Sequence, residues 1–376
     1  MTGKKFKMSE LLFSILPHRI QLTFILTHSP LLLTFWKYIS LGNIYYFDTI
    51  LSNSKGEPVE KKKVVCMHEE DDGLLWKHVE YRNGHNESRR GRELIISSIT
   101  TVVNYEYLFY WKLKQDGSIE FEIKLSGELS TNLLSPDEEE NGDVPTHGTI
   151  VAPGVNAQVH QHMFCARLDM AVDGHKNTVS EVDIVSQPDV SHYGNTFGPV
   201  EKVFETETDA IRTYDATKSR SWKISNSEGK INPINRKPTA YKLMPFTKGS
   251  SGPTVLTSPS STVSSKGEFA TANLWVTPHN GIERYPAGEY TPQGDGSIGL
   301  PQWTAKNRSI KVRSFSFSFS NNLKFLTQFY ILLISFLSID RVKTSYFGMH
   351  LALLMSHELR LVRYINVHFF LINYLV

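Results

Sequence analysis

The sequence contains only two cysteines, Cys66 and Cys165, among its 376 residues. Two cysteines allow at most one disulfide, which excludes a disulfide scaffold, and their separation excludes a zinc ribbon or a redox Cys-x-x-Cys site. The sequence also lacks an excess of charge of one sign, because 40 Lys and Arg residues stand against 38 Asp and Glu residues. This balance argues against a nucleic-acid-binding protein. Hydrophobic residues make up 40% of the chain, which excludes intrinsic disorder.

The longest uncharged run touches only the lower limit of length for a membrane-spanning helix, which is about 17 residues. Residues 20–36 form 17 positions without a charged side chain, interrupted by His28 and Pro30, and residues 325–339 form 15 such positions. A basic segment before the first run resembles a signal peptide, but no clear cleavage site follows it. We therefore expect no membrane association, and we interpret both runs as core packing or as sequence outside the folded domain.

Charge is unevenly distributed along the chain. Residues 1–43 carry five basic and one acidic side chain, and residues 311–376 carry seven basic and two acidic side chains. The remaining residues, 44–310, hold 28 basic and 35 acidic side chains. The sequence therefore predicts three regions with these boundaries, an acidic body between two basic and hydrophobic ends.

Short runs rich in β-branched and aromatic residues alternate with turn residues throughout the acidic body. One such run, Tyr105–Lys114, precedes the dipeptide Asp116-Gly117, which is typical of a hairpin turn. The next run, 118–124, alternates apolar and charged residues and predicts a half-buried strand of an antiparallel sheet. The body contains no long amphipathic helix with capping residues. The pattern predicts an all-β protein built on a large antiparallel β-sandwich.

His160 and His162 are separated by one residue within a run that we predict to be a strand. Side chains at positions i and i+2 of a strand point to the same face, so the two imidazoles are expected to lie side by side. Neutral imidazole is a ligand for copper, zinc and iron, and copper binds it most tightly among the common divalent ions. By itself the pattern leaves open the alternative of two surface or core histidines.

A second short motif, Asn104-Tyr105-Glu106-Tyr107, precedes His160 by about 55 positions. Together the two motifs resemble the copper amine oxidases, whose quinone site has the pattern Asn-Tyr-Asp/Glu-Tyr and whose copper site has the pattern His-x-His. The resemblance covers about residues 42–310. Further matching segments follow in the order of the family: HEED at 68–71, LWKH at 75–78, RLDMAVDG at 167–174, LWVT at 274–277 and WTAKNR at 303–308.

The resemblance implies a specific chemistry. Tyr105 is the expected precursor of topaquinone, formed when bound copper and dioxygen oxidise its ring, and Asn104 is expected to restrain that ring. His160 and His162 are expected to supply two of the three imidazoles that hold copper. The quinone then forms a Schiff base with a primary amine, and the products are an aldehyde, ammonia and hydrogen peroxide.

The resemblance also implies partners and a location. A primary amine and dioxygen are the expected substrates, and the family pattern implies a homodimer. Family members occur in peroxisomes and outside cells, but this chain ends in Tyr-Leu-Val and carries no peroxisomal Ser-Lys-Leu address.

The chain departs from the family pattern at two catalytic positions. The proton-abstracting aspartate belongs in the region of residues 20–36, which contains no aspartate. Similarity ends after Ile310, just before the position of the third copper histidine. Three histidines of the tail have no matching context: His350, His357 and His368.

A disulfide of the family is also expected to be absent. Cys66 stands where one partner belongs, and Tyr38 or Ser40 stands where the other belongs.

These departures leave two alternatives to an active enzyme. The first is a catalytically inactive fragment that acts at most as a binding or dimerisation module. The second is an unrelated metal-binding β-barrel enzyme. Non-homologous sequence joined at each end accounts for the changes in charge at about residues 43 and 310.

Overall fold

The computed structural model describes residues 41–134, 147–187, 194, 196–246, 255, 258–288, 298–311, 315–324 and 365–374. The two long apolar runs, the acidic segment at 135–143 and the histidines His350 and His357 lie outside these residues. The described part contains sixteen strands and two short α-helices, α1 (Thr262–Gly267) and α2 (Leu300–Thr304). The expected all-β class is confirmed.

Ten strands form one antiparallel sheet, in the order β1-β2-β3-β4-β5-β16-β13-β12-β10-β11. Strand β16, from the C-terminal region, lies between β5 and β13 and pairs with both. The bounds are β1 Leu41–Ser52, β2 Pro58–Val79, β3 Asn86–Val102, β4 Tyr105–Lys114, β5 Ile119–Gly127, β10 Thr178–Ser186, β11 Phe197–Val203, β12 Ser221–Ser225, β13 Ala240–Phe246 and β16 Ile365–Tyr374.

Two three-stranded sheets accompany the large one, in the orders β6-β8-β7 and β14-β15-β9. All their pairings are antiparallel. The bounds are β6 Thr131–Leu133, β7 Gly148–Ala152, β8 Val155–Gln158, β9 Gln161–Asp169, β14 Leu274–Pro278 and β15 Phe315–Lys324.

No helix among the described residues has the length and apolar character needed to cross a membrane.

The main core lies between the large sheet and the sheet formed by β14, β15 and β9. Trp111 and Phe121 of the large sheet pack with their ring centres 4.4 Å apart, and Trp222 of the same cluster is fully buried. Leu168 of β9 and Leu274 of β14 enter this cluster from the smaller sheet. Two sheets that bury apolar side chains between them form a sandwich, which confirms the predicted architecture.

The hairpin between β4 and β5 turns at the predicted Asp-Gly dipeptide. Gly117 adopts a φ of 85°, and its amide donates to the carbonyl of Lys114. Tyr105 at the start of β4 pairs with Gly127 at the end of β5, so the hairpin fixes the position of Tyr105 relative to β5.

The prediction of a half-buried β5 is wrong, because the carboxylates of Glu120 and Glu122 are also buried. Lys112 and Lys114 of the adjacent strand explain why they are tolerated. Lys112 Nζ lies 3.0 Å from Glu122 and 3.5 Å from Glu93, a third buried carboxylate. Lys114 Nζ lies 3.8 Å from Glu120 and 3.4 Å from Glu93. Buried charges persist in proteins when they are paired. The alternation of the sequence identified the two faces of β5 but did not show that both are covered.

We expect Lys112→Met to lower the free energy of unfolding by about 2 kcal/mol, because it removes the nearest cation of the buried Glu122 and one of the two cations beside the buried Glu93. Burial already raises the pKa of Glu93, and losing Lys112 raises it further. Since protonation removes the charge of a buried carboxylate, the stability that Lys112→Met loses relative to the wild type should become smaller as the pH falls from 7 to 5. Urea unfolding of both proteins at both pH values measures this difference. Lys62→Met, which breaks an exposed pair, is the control and should change stability by less than about 1 kcal/mol. An equally small effect for Lys112→Met would contradict the assignment.

In the turn before Tyr105, the β-branched residue Val103 adopts a left-handed backbone conformation. Val102 pairs with Tyr105, so Val103 and Asn104 form a two-residue hairpin loop between β3 and β4. Val103 has a φ of 57°, a region that a β-branched residue rarely adopts. Across the hairpin, a Cβ on Gly127 would lie 2.2 Å from the Asn104 carbonyl oxygen, so this position requires glycine. The backbone around Tyr105 is therefore tightly constrained.

We expect Val103→Gly to raise the free energy of unfolding by about 1 kcal/mol, because relief of the left-handed conformation outweighs the added entropy of the unfolded chain. Thermal or urea denaturation measures the change. Val102→Gly, in the adjacent strand position, is the matched control and should destabilise by about 1 kcal/mol. Loss of stability in Val103→Gly would show that Val103 is not strained.

Candidate active site

The two expected quinone-site tyrosines and the two histidines come together at the edge of the core. Tyr105 and Tyr107 lie two positions apart on β4, and their ring centres are 6.4 Å apart. His162 is the second residue of β9. His160 precedes β9, in the two-residue link from β8, so the two histidines do not share one strand as the sequence predicted. Their ring centres are nevertheless 4.9 Å apart.

Each tyrosine hydroxyl contacts one histidine nitrogen. Tyr105 Oη lies 2.6 Å from His160 Nε2, and Tyr107 Oη lies 3.0 Å from His162 Nδ1. The rings of Tyr105 and His162 also meet edge to face, with their centres 4.9 Å apart. We call these four residues, Tyr105, Tyr107, His160 and His162, the Tyr–His cluster.

Asn104 ties the turn before Tyr105 to the segment that follows β5. Its side-chain Nδ2 donates to the carbonyl of Glu128 at 2.8 Å, and the Glu128 amide donates back to the Asn104 carbonyl at 2.7 Å. Because Asn104 is covalently joined to Tyr105, these bonds hold the backbone from which the Tyr105 ring projects. The contact restrains the position of Tyr105 through the main chain.

Burial keeps most of the Tyr–His cluster uncharged at neutral pH. It raises the pKa of Tyr107 to about 12, with a further contribution from Tyr105. It also raises the pKa of Tyr105, against an opposing hydrogen bond from the Asn104 side chain. The pKa of His162 falls to about 4, first because of burial and then because His160 lies beside it. A neutral imidazole is the form that binds a transition metal.

The hydrogen bonds of His160 fit a metal ligand. Its Nδ1 lies 3.0 Å from the carbonyl oxygen of Gln158. A carbonyl only accepts, so Nδ1 carries the hydrogen and Nε2 carries the lone pair, at 2.6 Å from Tyr105 Oη. Metal-binding histidines typically donate their second nitrogen in this way. Copper at this nitrogen would therefore lie beside the Tyr105 ring, as the proposed chemistry requires.

A third copper ligand is not found in the part of the chain that the structure describes. No group of three or more His, Cys, Asp or Glu side chains there could hold a metal ion. Strand β15 pairs with β9 and places Leu323 opposite His162. His368 lies on β16, where it pairs with Glu122 and Phe246 in the large sheet. The region expected to contain the catalytic aspartate, 20–36, lies outside the described residues.

Cys66 is buried, and among the described residues neither Cys66 nor Cys165 forms a disulfide. Cys66 Sγ lies 3.2 Å from His68 Nδ1, and burial raises the pKa of the thiol to about 11. A buried, protonated thiol is unreactive.

Two features of the site were not identified from the sequence. One is the contact of Tyr107 with His162, although its i+2 spacing from Tyr105 matches the spacing of the two histidines. The other is the close approach of Gly127 to Asn104. The first could have been found by comparing the two spacings, whereas the second depends on strand register.

Comparison with known proteins identifies the family. The family model of the copper amine oxidase enzyme domain matches residues 37–315. A primary amine oxidase of Arthrobacter sp. (strain P1) is 45% identical over 271 residues, which are 72% of this chain and 40% of that protein. A peroxisomal primary amine oxidase of Pichia angusta is 38% identical over 271 residues, which are 70% of this chain and 38% of that protein.

Solved structures agree with the sequence comparison. A copper-containing benzylamine oxidase of Hansenula polymorpha superimposes with a TM-score of 0.71 and 30% identity, over 89% of this chain and 47% of that one. The lysyl oxidase of Pichia pastoris shares the fold alone, with a TM-score of 0.64, 16% identity and coverage of 88% of this chain and 41% of that one. The chain spans about two fifths of the length of the curated relatives that it matches. With its enzyme-domain match and its relatives at up to 45% identity, the chain belongs to the copper amine oxidase family.

Proposed function

We propose that the protein oxidises primary amines with copper and a topaquinone made from Tyr105. The overall reaction converts a primary amine, dioxygen and water into an aldehyde, ammonia and hydrogen peroxide. The observation that supports it most directly is the 2.6 Å contact between Tyr105 Oη and His160 Nε2. It puts the tyrosine of the quinone motif against the lone pair of a histidine of the copper motif.

Each residue of the site has a distinct role in this proposal. His160 and His162 bind copper through their imidazoles, and the Gln158 carbonyl orients His160. Asn104 holds the turn that carries Tyr105. When bound, copper would supply the oxidation of the Tyr105 ring by dioxygen, and the quinone would supply an electron acceptor for the amine.

The inactive-fragment alternative is not favoured by the comparisons, and the unrelated β-barrel enzyme is excluded by the family match. The three-region division at about residues 43 and 310 stays a proposal. The family match at 37–315 supports an enzyme domain in the middle of the chain.

We expect the protein, incubated aerobically with Cu²⁺, to develop a redox-cycling quinone on the peptide that contains Tyr105 and to release peroxide with a simple primary amine. Tyr105→Phe should abolish the quinone while copper binding persists, because it removes the oxidisable phenol but neither imidazole. Quinone staining of separated peptides, copper analysis and a peroxide assay measure these outcomes. Tyr214→Phe, which alters another tyrosine packed on the core, is the control. A copper-loaded wild type without quinone would favour the inactive fragment.

We also propose that the protein forms a homodimer, and the projecting hairpin of β2 and β3 supports this. Among the described residues, the strand pairings of residues 74–90 join only β2 to β3. The hairpin exposes apolar side chains: Leu74, Leu75, Trp76, Val79 and Tyr81. A two-stranded hairpin alone is marginally stable in water. The segment 74–92 carries five basic and two acidic side chains, which favours contact with the acidic body of a second copy.

We expect the double substitution Trp76→Glu/Val79→Glu to convert the dimer into monomers, because it puts charge on an apolar contact surface. Analytical ultracentrifugation measures the mass of each species. Ile234→Glu, at an exposed apolar position outside the hairpin, should leave the dimer intact. A monomeric wild type, or a dimer that withstands the double substitution, would refute this arrangement.

A further inference from the structure

Tyr107 forms the second contact between a phenol and an imidazole in the Tyr–His cluster. Its Oη lies 3.0 Å from Nδ1 of His162, whereas Tyr105 contacts Nε2 of His160. The two tyrosines therefore meet different nitrogens of the two histidines. Neither the family pattern of the sequence nor the proposed reaction assigns a role to Tyr107.

The hydrogen bonds of His160 show which of its two nitrogens carries the hydrogen and which has the lone pair. Its Nδ1 donates to a backbone carbonyl, that of Gln158, and so its Nε2 has the lone pair. In His162 the Nδ1 position is contacted by Tyr107 Oη. A phenol both donates and accepts, so two tautomers of His162 satisfy this distance. If Tyr107 donates, the His162 hydrogen lies on Nε2; if Tyr107 accepts, the hydrogen lies on Nδ1.

Only the second tautomer gives both histidines the same form. A histidine that binds a metal through one nitrogen donates its other N–H to a neighbouring acceptor. His160 meets this condition through Gln158. His162 meets it when Tyr107 accepts the Nδ1 hydrogen, and both Nε2 atoms then have lone pairs.

The Tyr107 ring is held firmly enough to fix this hydrogen bond. It packs against Phe164 with the ring centres 6.0 Å apart, and it contacts Tyr105 on its own strand. Its backbone pairs with Thr100 on one side and with Leu125 on the other. Strand β4 is thus held on both sides at Tyr107, and the hydroxyl stays at the His162 ring.

We propose that Tyr107 is a positioning residue: its Oη accepts a hydrogen bond from the N–H at His162 Nδ1. The lone pair of the His162 imidazole then lies on Nε2. The tautomer is a property of the metal-free protein. Its consequence for copper rests on the proposed function, so the two statements are tested separately.

The tautomer is tested by long-range ¹H–¹⁵N spectra of the metal-free protein labelled on histidine, with His162→Gln used to assign the signals. We expect wild-type His162 to show a protonated Nδ1 and an unprotonated Nε2. Tyr107→Phe should lose this preference, because the ring remains but the acceptor is gone. A wild-type His162 with its hydrogen on Nε2 would overturn the proposal, and so would an unchanged tautomer in Tyr107→Phe.

The consequence is tested by measuring Cu²⁺ affinity in competition with a chelator. We expect Tyr107→Phe to weaken binding by about tenfold or more, while Tyr214→Phe binds as the wild type does. Melting curves of the metal-free variants show whether each is folded. An affinity unchanged by Tyr107→Phe would contradict the role of Tyr107 in copper binding. If His160→Ala also bound copper as the wild type does, the proposed copper site itself would fail, and the spectra would still decide the tautomer.

Discussion

The hydrogen bond between Tyr105 Oη and His160 Nε2 joins two segments that are 55 residues apart and belong to different sheets. Tyr105 starts β4 of the large sheet, and His160 lies where the chain passes from the β6-β8-β7 sheet to the β14-β15-β9 sheet. This contact exists only if the sandwich holds β9 against β4. The cluster that packs the two sheets, including Trp111 and Leu168, therefore also determines the geometry of the site.

Rigidity around Tyr105 comes from both the backbone and the side chains. Hydrogen bonds link Asn104 to Glu128 in both directions, Gly127 permits a close approach that a Cβ would prevent, and Val103 occupies a strained turn. Backbone strain of this kind persists only where the surrounding structure enforces it. A cofactor made from a residue of the chain itself requires such constraint, because the ring must lie against the metal before any reaction begins.

Much of the fold and part of the site followed from the sequence. The Asp-Gly turn and the β4 strand appear where alternation and turn chemistry predicted them. Burial of Glu120 and Glu122 could not be predicted, because the cations that compensate them, Lys114 and Lys112, lie on a neighbouring strand and in a register that alternation does not determine. The contact of Tyr107 with His162 could not be predicted for the same reason, since it requires two non-adjacent segments to meet.

The central claim is that His160 and His162 hold copper against Tyr105. A crystal structure of the protein loaded with Cu²⁺ without oxygen, with anomalous diffraction measured at the copper edge, tests it most directly. The account predicts one strong anomalous peak within bonding distance of both imidazoles and next to the unmodified Tyr105 ring. A peak elsewhere, or no peak at these histidines in a copper-saturated crystal, would contradict it.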